Sequence, residues 1–458
     1  MAPLHSIKQL QICRVSPPPG SVADTSLPLT FFDVIWLQLP PVQRLFFYQF
    51  PQNPNNTTTT THFINTLLPR LKHSLSLSLR LFFPLAGNLT HSLETGDLEI
   101  SYTDGDSVSL IIAKSDADFH RLVADYPRDV TEFHPLVPQL HVSDARKQPL
   151  LALQVTVFPN FGICIGITTH HGAADGSSSI HFMKSWASIY RSGEDSSIMP
   201  LPVHDRSLTA HLDGVKRVLL DQLAKIQLDR ILETSSVKGR ADPVRATFVM
   251  ARADIEKLRR RVLAQRLEDS QKALPSSAYV LTCAYVWVCL VRARGDSDDA
   301  RGKTVHFAFP TGYRAREDPP LPATYFGNCI APRFVEANGS DFWSEDGVVP
   351  ASEAIGREIP GLGSRVLEGA EGWIPRAFKW TGERVVTVAG SPKIRVYDTD
   401  FGWGKPKKVE IISIEGTGAI SLAESRDEAG EIEVGLALPK CEMERFSSLF
   451  YEGLKVLA

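Results

Sequence analysis

The chain of 458 residues has a formal net charge of −3, with 43% hydrophobic and 22% charged residues. This length accommodates roughly two to four domains or one large two-lobed enzyme, and the composition is that of a globular chain. The near-neutral charge lacks the basic footprint expected of a protein that binds nucleic acid or an anionic membrane.

The six cysteines are scattered along the chain without a CxxC pair. This pattern predicts small buried thiols in a reducing compartment, not a disulfide framework or a zinc site. Residues 1–20 lack the apolar region of a secretory signal, and no apolar run is long enough to span a bilayer. We therefore expect a cytosolic protein that binds neither membranes nor nucleic acids.

The first half of the chain alternates β-rich and helical runs. Four leucines between Leu75 and Leu81 alternate as in a strand, with a helix end as the alternative interpretation. The other predicted elements are a strand following Pro40-Pro41, a helix over 63–71, two strands within 98–112, a helix over 119–126, and a hairpin formed by 150–158 and 162–168.

The second half begins after a proline-containing connector at 200–207. A helix that opens at Asp254 is expected to place Ile255, Leu258, Val262 and Leu263 on one side. Because strands and helices do not alternate regularly, we expect an α/β fold with mixed sheets. The remaining predictions are helices over 214–232, 279–291 and 442–456, and strands over 243–250, 304–309, 384–388, 394–397, 409–414 and 432–438.

The stretch from Thr168 to Gly176 (TTHHGAADG) lies between an apolar β-rich run and a run with helical spacing of buried residues. A strand that leads into a glycine-containing turn and then a helix would hold His171 rigidly, with its side chain free to project into a cleft. The spacing His-x-x-x-Asp-Gly alone equally allows a structural histidine that hydrogen-bonds a turn. A zinc site at His170-His171 is disfavoured because no third ligand lies at a recognisable spacing.

A second motif, Asp400–Gly404 (DFGWG), lies between two predicted strands. Taken alone it is best interpreted as a tight turn, in which Gly402 and Gly404 allow positive φ and the aromatic residues pack.

Together the two motifs resemble those of the plant BAHD acyl-CoA-dependent acyltransferases, in the same order and at about the same separation. Three further segments match that family: Thr30–Asp33 (TFFD), Phe83–Gly87 (FPLAG) and Tyr325–Cys329 (YFGNC). The resemblance covers nearly the whole chain. The YFGNC segment and the tract from Gly390 to Val409 resemble the branch that acylates anthocyanins and other flavonoid or phenolic glucosides, many of whose members use malonyl-CoA.

The resemblance implies a monomer with two lobes of chloramphenicol-acetyltransferase-like fold and an active site in a channel between them. Residues 1–205 would form the N-terminal lobe, 206–242 a crossover linker and 243–458 the C-terminal lobe. A segment near 390–410 is expected to pack with the N-terminal lobe. Acyl-CoA and the acceptor would enter this channel from opposite faces.

His171 is the expected general base, since an imidazole titrates near neutral pH. It would take the proton of a sugar hydroxyl, which attacks the thioester directly, and return it to the CoA thiolate. The sequence has no Gly-x-Ser-x-Gly elbow or cysteine nucleophile motif for an acyl-enzyme. Asp175 could orient the imidazole, but the family resemblance implies that it pairs with an arginine and is structural, as Gly176 and Asp400 are.

Other site residues follow from the resemblance and from charge. Asn328 and the Trp403 N–H are candidate oxyanion donors, and Arg314 or Arg316 could bind a malonyl carboxylate. No permanently bound cofactor and no metal are expected, with acyl-CoA as co-substrate. The candidate CoA-binding residues are Lys257, Ser276, Ser277 and Lys405, with ordinary surface charge as the alternative for the two lysines.

We expect malonyl transfer from CoA to a phenolic or flavonoid glucoside. The nearest alternative uses a hydroxycinnamoyl donor such as coumaroyl-CoA with the same mechanism. A catalytically silent member that binds a small ligand or a protein, and a hydrolase that releases CoA without an acceptor, are the alternatives of other classes.

Overall fold

The computed structural model describes residues 7–50, 59–92, 94–142, 146–193, 199–225, 242–268, 276–295, 302–359, 367–380, 383 and 385–456, with only the backbone of 266–268. Helices over these ranges are numbered in chain order. They are α1 (Phe31–Val34), α2 (Thr60–His62), α3 (Leu68–Leu81), α4 (Phe119–Leu122), α5 (Gly176–Ser192), α6 (Asp213–Leu223), α7 (Arg252–Glu268), α8 (Ala278–Arg294), α9 (Val348–Arg357), α10 (Trp373–Lys379), α11 (Ile414–Thr417) and α12 (Lys440–Val456).

The described strands form three sheets, and the strands of each sheet follow in spatial order. The six-stranded sheet contains β1 (Ile7–Val15), β6 (Val108–Ser115), β9 (Leu151–Phe158), β10 (Gly162–Thr169), β3 (Val42–Gln49) and β15 (Lys408–Ile411). The seven-stranded sheet contains β13 (Ile330–Asn338), β12 (Thr304–Gly312), β14 (Val385–Ala389), β16 (Ile420–Glu424), β17 (Ile432–Pro439), β11 (Pro243–Met250) and β7 (Arg128–Asp129). The small sheet contains β2 (Thr25–Pro28), β5 (Leu98–Tyr102), β4 (Asn88–His91) and β8 (Gln148–Pro149).

Both larger sheets are mixed, as the sequence predicts. In the six-stranded sheet β6 and β9 run parallel, whereas β9, β10 and β3 are antiparallel neighbours. In the seven-stranded sheet β14 runs parallel to both of its neighbours. The predicted hairpin before His171 is formed by β9 and β10, with Gly162 opposite Phe158.

Helix α3 replaces the strand that leucine alternation suggested at 75–81. The alternation is accidental, because Leu71, Leu75 and Leu79 recur at four-residue spacing and are fully buried. They belong to the same core cluster as Ile180 and Met183 of α5, so α3 and α5 together cover the six-stranded sheet.

The two larger sheets exchange strands. β15, from the second half of the chain, pairs with β3, and β7, from the first half, pairs with β11. A buried ion network connects the exchanged strands: Glu410 of β15 lies 2.9 Å from Arg128 of β7 and 3.4 Å from Arg245 of β11. Residues 408–411 therefore pair with a strand from the first half of the chain.

Several other predictions differ from the structure. The segment 394–397 forms 3₁₀ turns instead of a strand, the predicted helix over 119–126 is the single turn α4, and Leu263 of α7 is 41% exposed. Of the helix predicted over 214–232, the structure shows Asp213–Leu223 as helix α6. Residues 226–241, which include the rest of the predicted helix, lie outside the described residues. No helix in the described part of the chain is both long and apolar enough to span a bilayer.

Candidate active site

His171 lies in the turn between β10, which ends at Thr169, and α5, which begins at Gly176. Every residue of β10 is buried, and it pairs on both sides, with β9 and with β3. The Asp175 carboxylate accepts a hydrogen bond from the Ser178 N–H at 2.9 Å and caps the N-terminus of α5. Both ends of the turn are therefore fixed, and His171 has little backbone freedom.

The imidazole of His171 is half-buried and stacks on Trp36, with ring centroids 4.9 Å apart and planes inclined by 13°. Its Nδ1 is buried without a hydrogen-bond partner among the described residues. Burial lowers the pKa of His171, against opposing effects of its own backbone carbonyl and the Asp175 charge. The ring is therefore neutral at physiological pH, as a general base must be.

Asp175 is directed at Arg314 instead of the His171 ring. The Arg314 guanidinium donates to both Asp175 oxygens, at 2.6 and 3.1 Å, and the Cys329 N–H donates to Oδ2 at 3.0 Å. Asp175 is only 2% exposed, so this pair is largely removed from water. The Arg314 Nη2 also donates to the Ser178 hydroxyl, and its Nε and Nη2 donate to backbone carbonyls of the YFGNC segment.

Arg314 is thus engaged in a bidentate pair that joins the two halves of the chain. The expectation that it binds a malonyl carboxylate does not fit this position, because its hydrogen-bonding groups already have protein partners. The sequence does not reveal this pairing of Arg314, because the contact joins positions 139 residues apart.

Asn328 fixes the backbone at His171. Its side-chain Nδ2 donates to the His171 carbonyl at 2.9 Å and to the Asp33 carboxylate at 3.1 Å, and its backbone N–H donates to the same Asp33 oxygen. Both donor hydrogens of the amide therefore have protein acceptors. In this structure Asn328 is placed to position His171 through its carbonyl, and as an oxyanion donor it would have to give up one of these bonds.

Asp33, of the TFFD segment, is fully buried and joins three parts of the chain. Besides Asn328, it accepts hydrogen bonds from the Thr30 N–H and hydroxyl and lies 3.7 Å from Arg206. Gly327 has φ of +139°, and a β-carbon there would collide with the Arg206 guanidinium. The TFFD, HHGAADG and YFGNC segments thus meet around the backbone of His171.

The Asp400–Gly404 turn is built locally. The Asp400 Oδ1 accepts hydrogen bonds from the N–H groups of Gly402 and Gly404, both of which have φ near +90°. Its other oxygen lies 3.9 Å from Arg191, at the C-terminal end of α5. This ion pair of Asp400 is long and partly exposed.

Trp403 lies far from the candidate base. Its ring packs against Phe401 and Tyr190, with ring centroids 5.2 and 5.0 Å away. Tyr190 is fourteen residues beyond Gly176 on α5, which corresponds to roughly 20 Å along the helix axis. An oxyanion contact from the Trp403 N–H next to His171 does not fit this distance.

The candidate CoA-binding residues divide between two places. Ser277 caps α8 by accepting the Val280 N–H at 3.3 Å, and the Ser276 carbonyl accepts from Arg259 of the neighbouring α7. Lys257 of α7 is half-buried and lies 3.3 Å from Asp254. Lys405 is exposed, beside Asp398, in the DFGWG region. Their roles in CoA binding remain a prediction.

Two nearby groups are unsuited to chemistry. His170 accepts a hydrogen bond from the Gly172 N–H through Nδ1, and burial, together with the neighbouring His171, lowers its pKa to about 4. Burial raises the pKa of the Cys329 thiol, so a nucleophilic thiolate is strongly disfavoured. Over the described ranges no group of three His, Cys, Asp or Glu side chains is arranged to hold a metal ion.

A cavity of about 270 Å³ lies elsewhere, between α7, α8 and α12, and is lined by Leu258, Tyr285, Cys289 and Leu449 among others. His171 does not line it. The cavity is therefore separate from the candidate base.

Sequence analysis did not identify Trp36 or Arg206, which lie against the site, and gave Asp33 no role. Trp36 follows the TFFD segment by only three positions, so its aromatic ring could have been considered with that motif. Arg206 carried no local signal, because its partners Asp33 and Tyr325 are far away along the chain.

A family profile described as "Transferase family" matches residues 12–452. The chain is 38% identical to the malonyl-coenzyme A:anthocyanin 3-O-glucoside-6''-O-malonyltransferase of Dahlia pinnata, over 97% of each chain. It is also 38% identical to the coumaroyl-CoA:anthocyanidin 3-O-glucoside-6''-O-coumaroyltransferase 2 of Arabidopsis thaliana, over 100% of this chain and 99% of that one. The crystal structure of vinorine synthase has a similar fold, with a TM-score of 0.70, 18% identity and 98% of each chain covered. The chain therefore belongs to the BAHD transferase family of acyl-CoA-dependent acyltransferases.

Proposed function

We propose that this enzyme transfers a malonyl group from malonyl-CoA to a sugar hydroxyl of a phenolic or flavonoid glucoside. The observation that carries the proposal is a neutral, half-buried His171 whose backbone is held by contacts from both halves of the chain. The similar enzymes that are named malonyltransferases act on anthocyanin or phenolic glucosides, which supports the acceptor class.

The chemistry follows from the state of the imidazole. Neutral His171 removes the proton from the sugar hydroxyl as the oxygen attacks the thioester carbonyl. The C–S bond then breaks, and the imidazolium returns its proton to the CoA thiolate. No covalent acyl-enzyme is needed, in agreement with the raised pKa of the nearby Cys329 thiol.

Asp175 takes no part in proton transfer and contributes to the reaction only by holding the turn of His171 in place. Its carboxylate is held by Arg314 and the Cys329 N–H, so it fixes the turn that carries His171. The contacts of Asn328 and Trp403 do not support either residue as a donor to the oxyanion, because the Asn328 amide is already bonded and Trp403 lies on Tyr190. We place Asn328 as a positioning residue for His171.

A hydroxycinnamoyl donor is the second candidate. It is favoured by the coumaroyltransferases that match the chain at 37–38% identity, as closely as the malonyltransferases do. The mechanism at His171 would be the same.

The deciding experiment is a mass-spectrometric screen of phenolic and flavonoid glucosides with malonyl-CoA and coumaroyl-CoA in parallel. We expect malonylated glucosides, with at most minor coumaroylated products. Predominant coumaroylation would establish the second candidate. CoA release without any acylated glucoside would reject both.

We further propose that the enzyme acts as a monomer in the cytosol, with the lobe boundaries at 205 and 243 expected from the sequence. Size-exclusion chromatography with light scattering should give a mass near that of one 50.6 kDa chain. A fluorescent fusion in plant cells should show a diffuse cytosolic signal.

A further inference from the structure

Arg44 is a buried cation without a close counter-ion. It lies on β3 and is 3% exposed, and no ion pair or hydrogen bond of its side chain is found within the described part of the chain. Its Nε is fully buried and unpartnered. The two Nη atoms, in contrast, are not fully enclosed by protein. Burial lowers the pKa of Arg44 to about 10, which leaves the side chain charged at neutral pH.

The other buried arginines provide an internal comparison. Among the described residues, Arg128, Arg206 and Arg245 are also less than a tenth exposed, and each has a carboxylate oxygen within 4 Å. This is the usual state, because a buried charge without a partner is costly. Arg44 departs from it, which indicates that its partner is not among the residues that the structure describes.

Arg44 faces the boundary between the two sheets. It lies opposite Ile167 of β10 on one side and Ile411 of β15 on the other. Because side chains alternate along a strand, Arg44 shares its face with Phe46 and Tyr48. The Tyr48 hydroxyl donates to the Thr399 carbonyl, so this face is directed at the segment that leads into the DFGWG turn.

The same register brings Arg44 near the reactive position. Ile167 precedes His171 by four residues, a span of roughly 13 Å in extended chain. A long arginine side chain and a short dicarboxylic acyl group together can bridge such a distance. Arg44 is therefore placed for the carboxylate end of a small anionic acyl group whose thioester end lies at His171.

Two other charged groups surround this position. Glu424 of β16 attracts Arg44 from the opposite sheet, but its Oε1 accepts the Tyr397 N–H and its Oε2 is buried without a partner. Burial raises the pKa of Glu424, which weakens it as a permanent counter-ion. Lys184 of α5 donates to the Ile394 carbonyl at 3.1 Å and also lies in the field of Glu424.

We propose that the Arg44 guanidinium binds the free carboxylate of the malonyl group and thereby selects malonyl-CoA over neutral acyl-CoA donors. The inference rests on the proposed function and names the residue that determines its donor specificity. A guanidinium can donate two parallel hydrogen bonds to a carboxylate, and such a pair is strong in a site shielded from water. An acetyl or coumaroyl group has no carboxylate and gains nothing from Arg44.

The test compares kcat/KM for malonyl-CoA, acetyl-CoA and coumaroyl-CoA in the wild type, Arg44→Gln and Arg44→Lys, with one acceptor glucoside. Where a neutral donor turns over too slowly, its inhibition constant against malonyl-CoA is used instead. For Arg44→Gln we expect a loss of about 10- to 100-fold with malonyl-CoA. Neutral donors should change less than about threefold. Arg44→Lys retains the charge but not the bidentate geometry, and we expect an intermediate loss.

Glu424→Gln provides a second test that leaves Arg44 in place. Removing the competing carboxylate should lower the KM for malonyl-CoA severalfold without changing that for acetyl-CoA. Arg292→Gln is the matched control, because this half-buried arginine donates to the Phe342 and Ser344 carbonyls and has no proposed role at the site. Arg316→Gln tests the competing candidate that the sequence named for the malonyl carboxylate. Arg316 is a half-buried arginine that hydrogen-bonds to the Gly312 carbonyl, and its loss should leave the malonyl-to-acetyl preference unchanged.

The outcomes separate the two proposals. If the wild type malonylates the glucoside but Arg44→Gln and Glu424→Gln keep the wild-type donor preference, the Arg44 assignment is wrong and the proposed function stands. A change of preference in Arg316→Gln instead would assign the role to Arg316. If the wild type prefers a neutral donor, both the malonyl function and the Arg44 assignment are rejected. Should Arg44→Gln fail to fold, the Lys and Glu424 variants decide the question.

Discussion

The two motif turns of this enzyme lie at opposite ends of α5 and differ in depth. At the N-terminal end, Asp175 is 2% exposed and forms a bidentate pair with Arg314 across the boundary between the halves. At the C-terminal end, Asp400 is partly exposed, bonds mainly within its own turn and lies 3.9 Å from Arg191. Both turns combine an aspartate with glycines, yet only the first holds a titratable group suited to proton transfer.

The difference shows that similar turn chemistry serves two purposes. The first turn is fixed by distant residues, so its precise position depends on how the two halves pack. The second is fixed by its own backbone and by aromatic packing of Phe401 and Trp403. We therefore expect changes at the first turn to affect both catalysis and stability, and changes at the second to act mainly on local structure.

The largest expected effect is at the base itself. His171→Ala should lower kcat by about 10²- to 10⁴-fold, because general acid–base catalysis is removed. The neighbouring His170→Ala is the matched control and should keep kcat within about tenfold, since His170 only supports the turn through the Gly172 N–H. Steady-state kinetics with malonyl-CoA would measure both. Wild-type turnover in His171→Ala would remove His171 from the mechanism.

The two aspartates should differ in their contribution to stability. Asp175→Ala leaves the Arg314 charge buried without its carboxylate and should cost about 3–5 kcal/mol of unfolding free energy. Asp400→Ala loses two turn hydrogen bonds and a weak, partly exposed ion pair, at a cost of about 1–2 kcal/mol. Denaturant unfolding of both variants measures the difference. Equal losses would contradict the distinction between a turn fixed across the halves and a turn fixed locally.

Asn328→Ala tests whether His171 is positioned through its backbone carbonyl. The His171 carbonyl loses its 2.9 Å hydrogen bond, and we expect kcat to fall about 10- to 100-fold because the imidazole is displaced. The KM for acyl-CoA should change little. A folded variant with wild-type kcat would show that the backbone contact does not control the reaction.

The smallest expected effect is on the pH profile. Because burial lowers the pKa of His171 below 6.5, kcat/KM should be constant above that pH and fall as the pH decreases through the lowered pKa. The same shift means that the stability contributed by neutral His171 is complete above its ordinary pKa and is lost as the pH decreases through the folded-state pKa.

Trp36→Ala sharpens this prediction. It exposes the His171 ring to water, and the acid limb should move to higher pH by about 0.5–1 unit. Trp403→Ala is the control from the other turn and should leave the acid limb in place. A shift in Trp403→Ala of the same size would contradict the separation of the two turns.

Much of the fold followed from local patterns. The runs before and after His171 predict β10 and α5, and the apolar stretch at 279–291 predicts the buried helix α8. The strand interpretation of 75–81 was wrong because the spacing of the leucines from Leu75 to Leu81 fits both a strand and a helix. The structure forms helix α3 there. The strand predicted over 394–397 was wrong for another reason. Its apolar side chains pack into the hydrophobic core, as those of a strand would, but its backbone forms 3₁₀ turns.

The candidate site could be predicted in its chemistry but not in its contacts. The motif letters identified His171, Asp175 and the YFGNC segment, and they suggested that Asp175 is structural. They could not show that Arg314 is the partner of Asp175 or that Asn328 bonds to the His171 carbonyl. These contacts span 139 and 157 residues, and no local spacing encodes them.

By itself the sequence predicted His171 as the candidate base and the strand, turn and helix around it, because these signals are local. Its motifs also indicated the family to which the chain belongs. Only the tertiary structure decided that, among the described arginines that are less than a tenth exposed, Arg128, Arg206 and Arg245 have carboxylate partners and Arg44 does not. Residues 408–411 and 128–129 cross between the sheets, and this exchange brings Glu410 next to Arg128 and Arg245. The reason is physical: a buried charge is stabilised by whichever group the fold brings close, not by its neighbours in sequence.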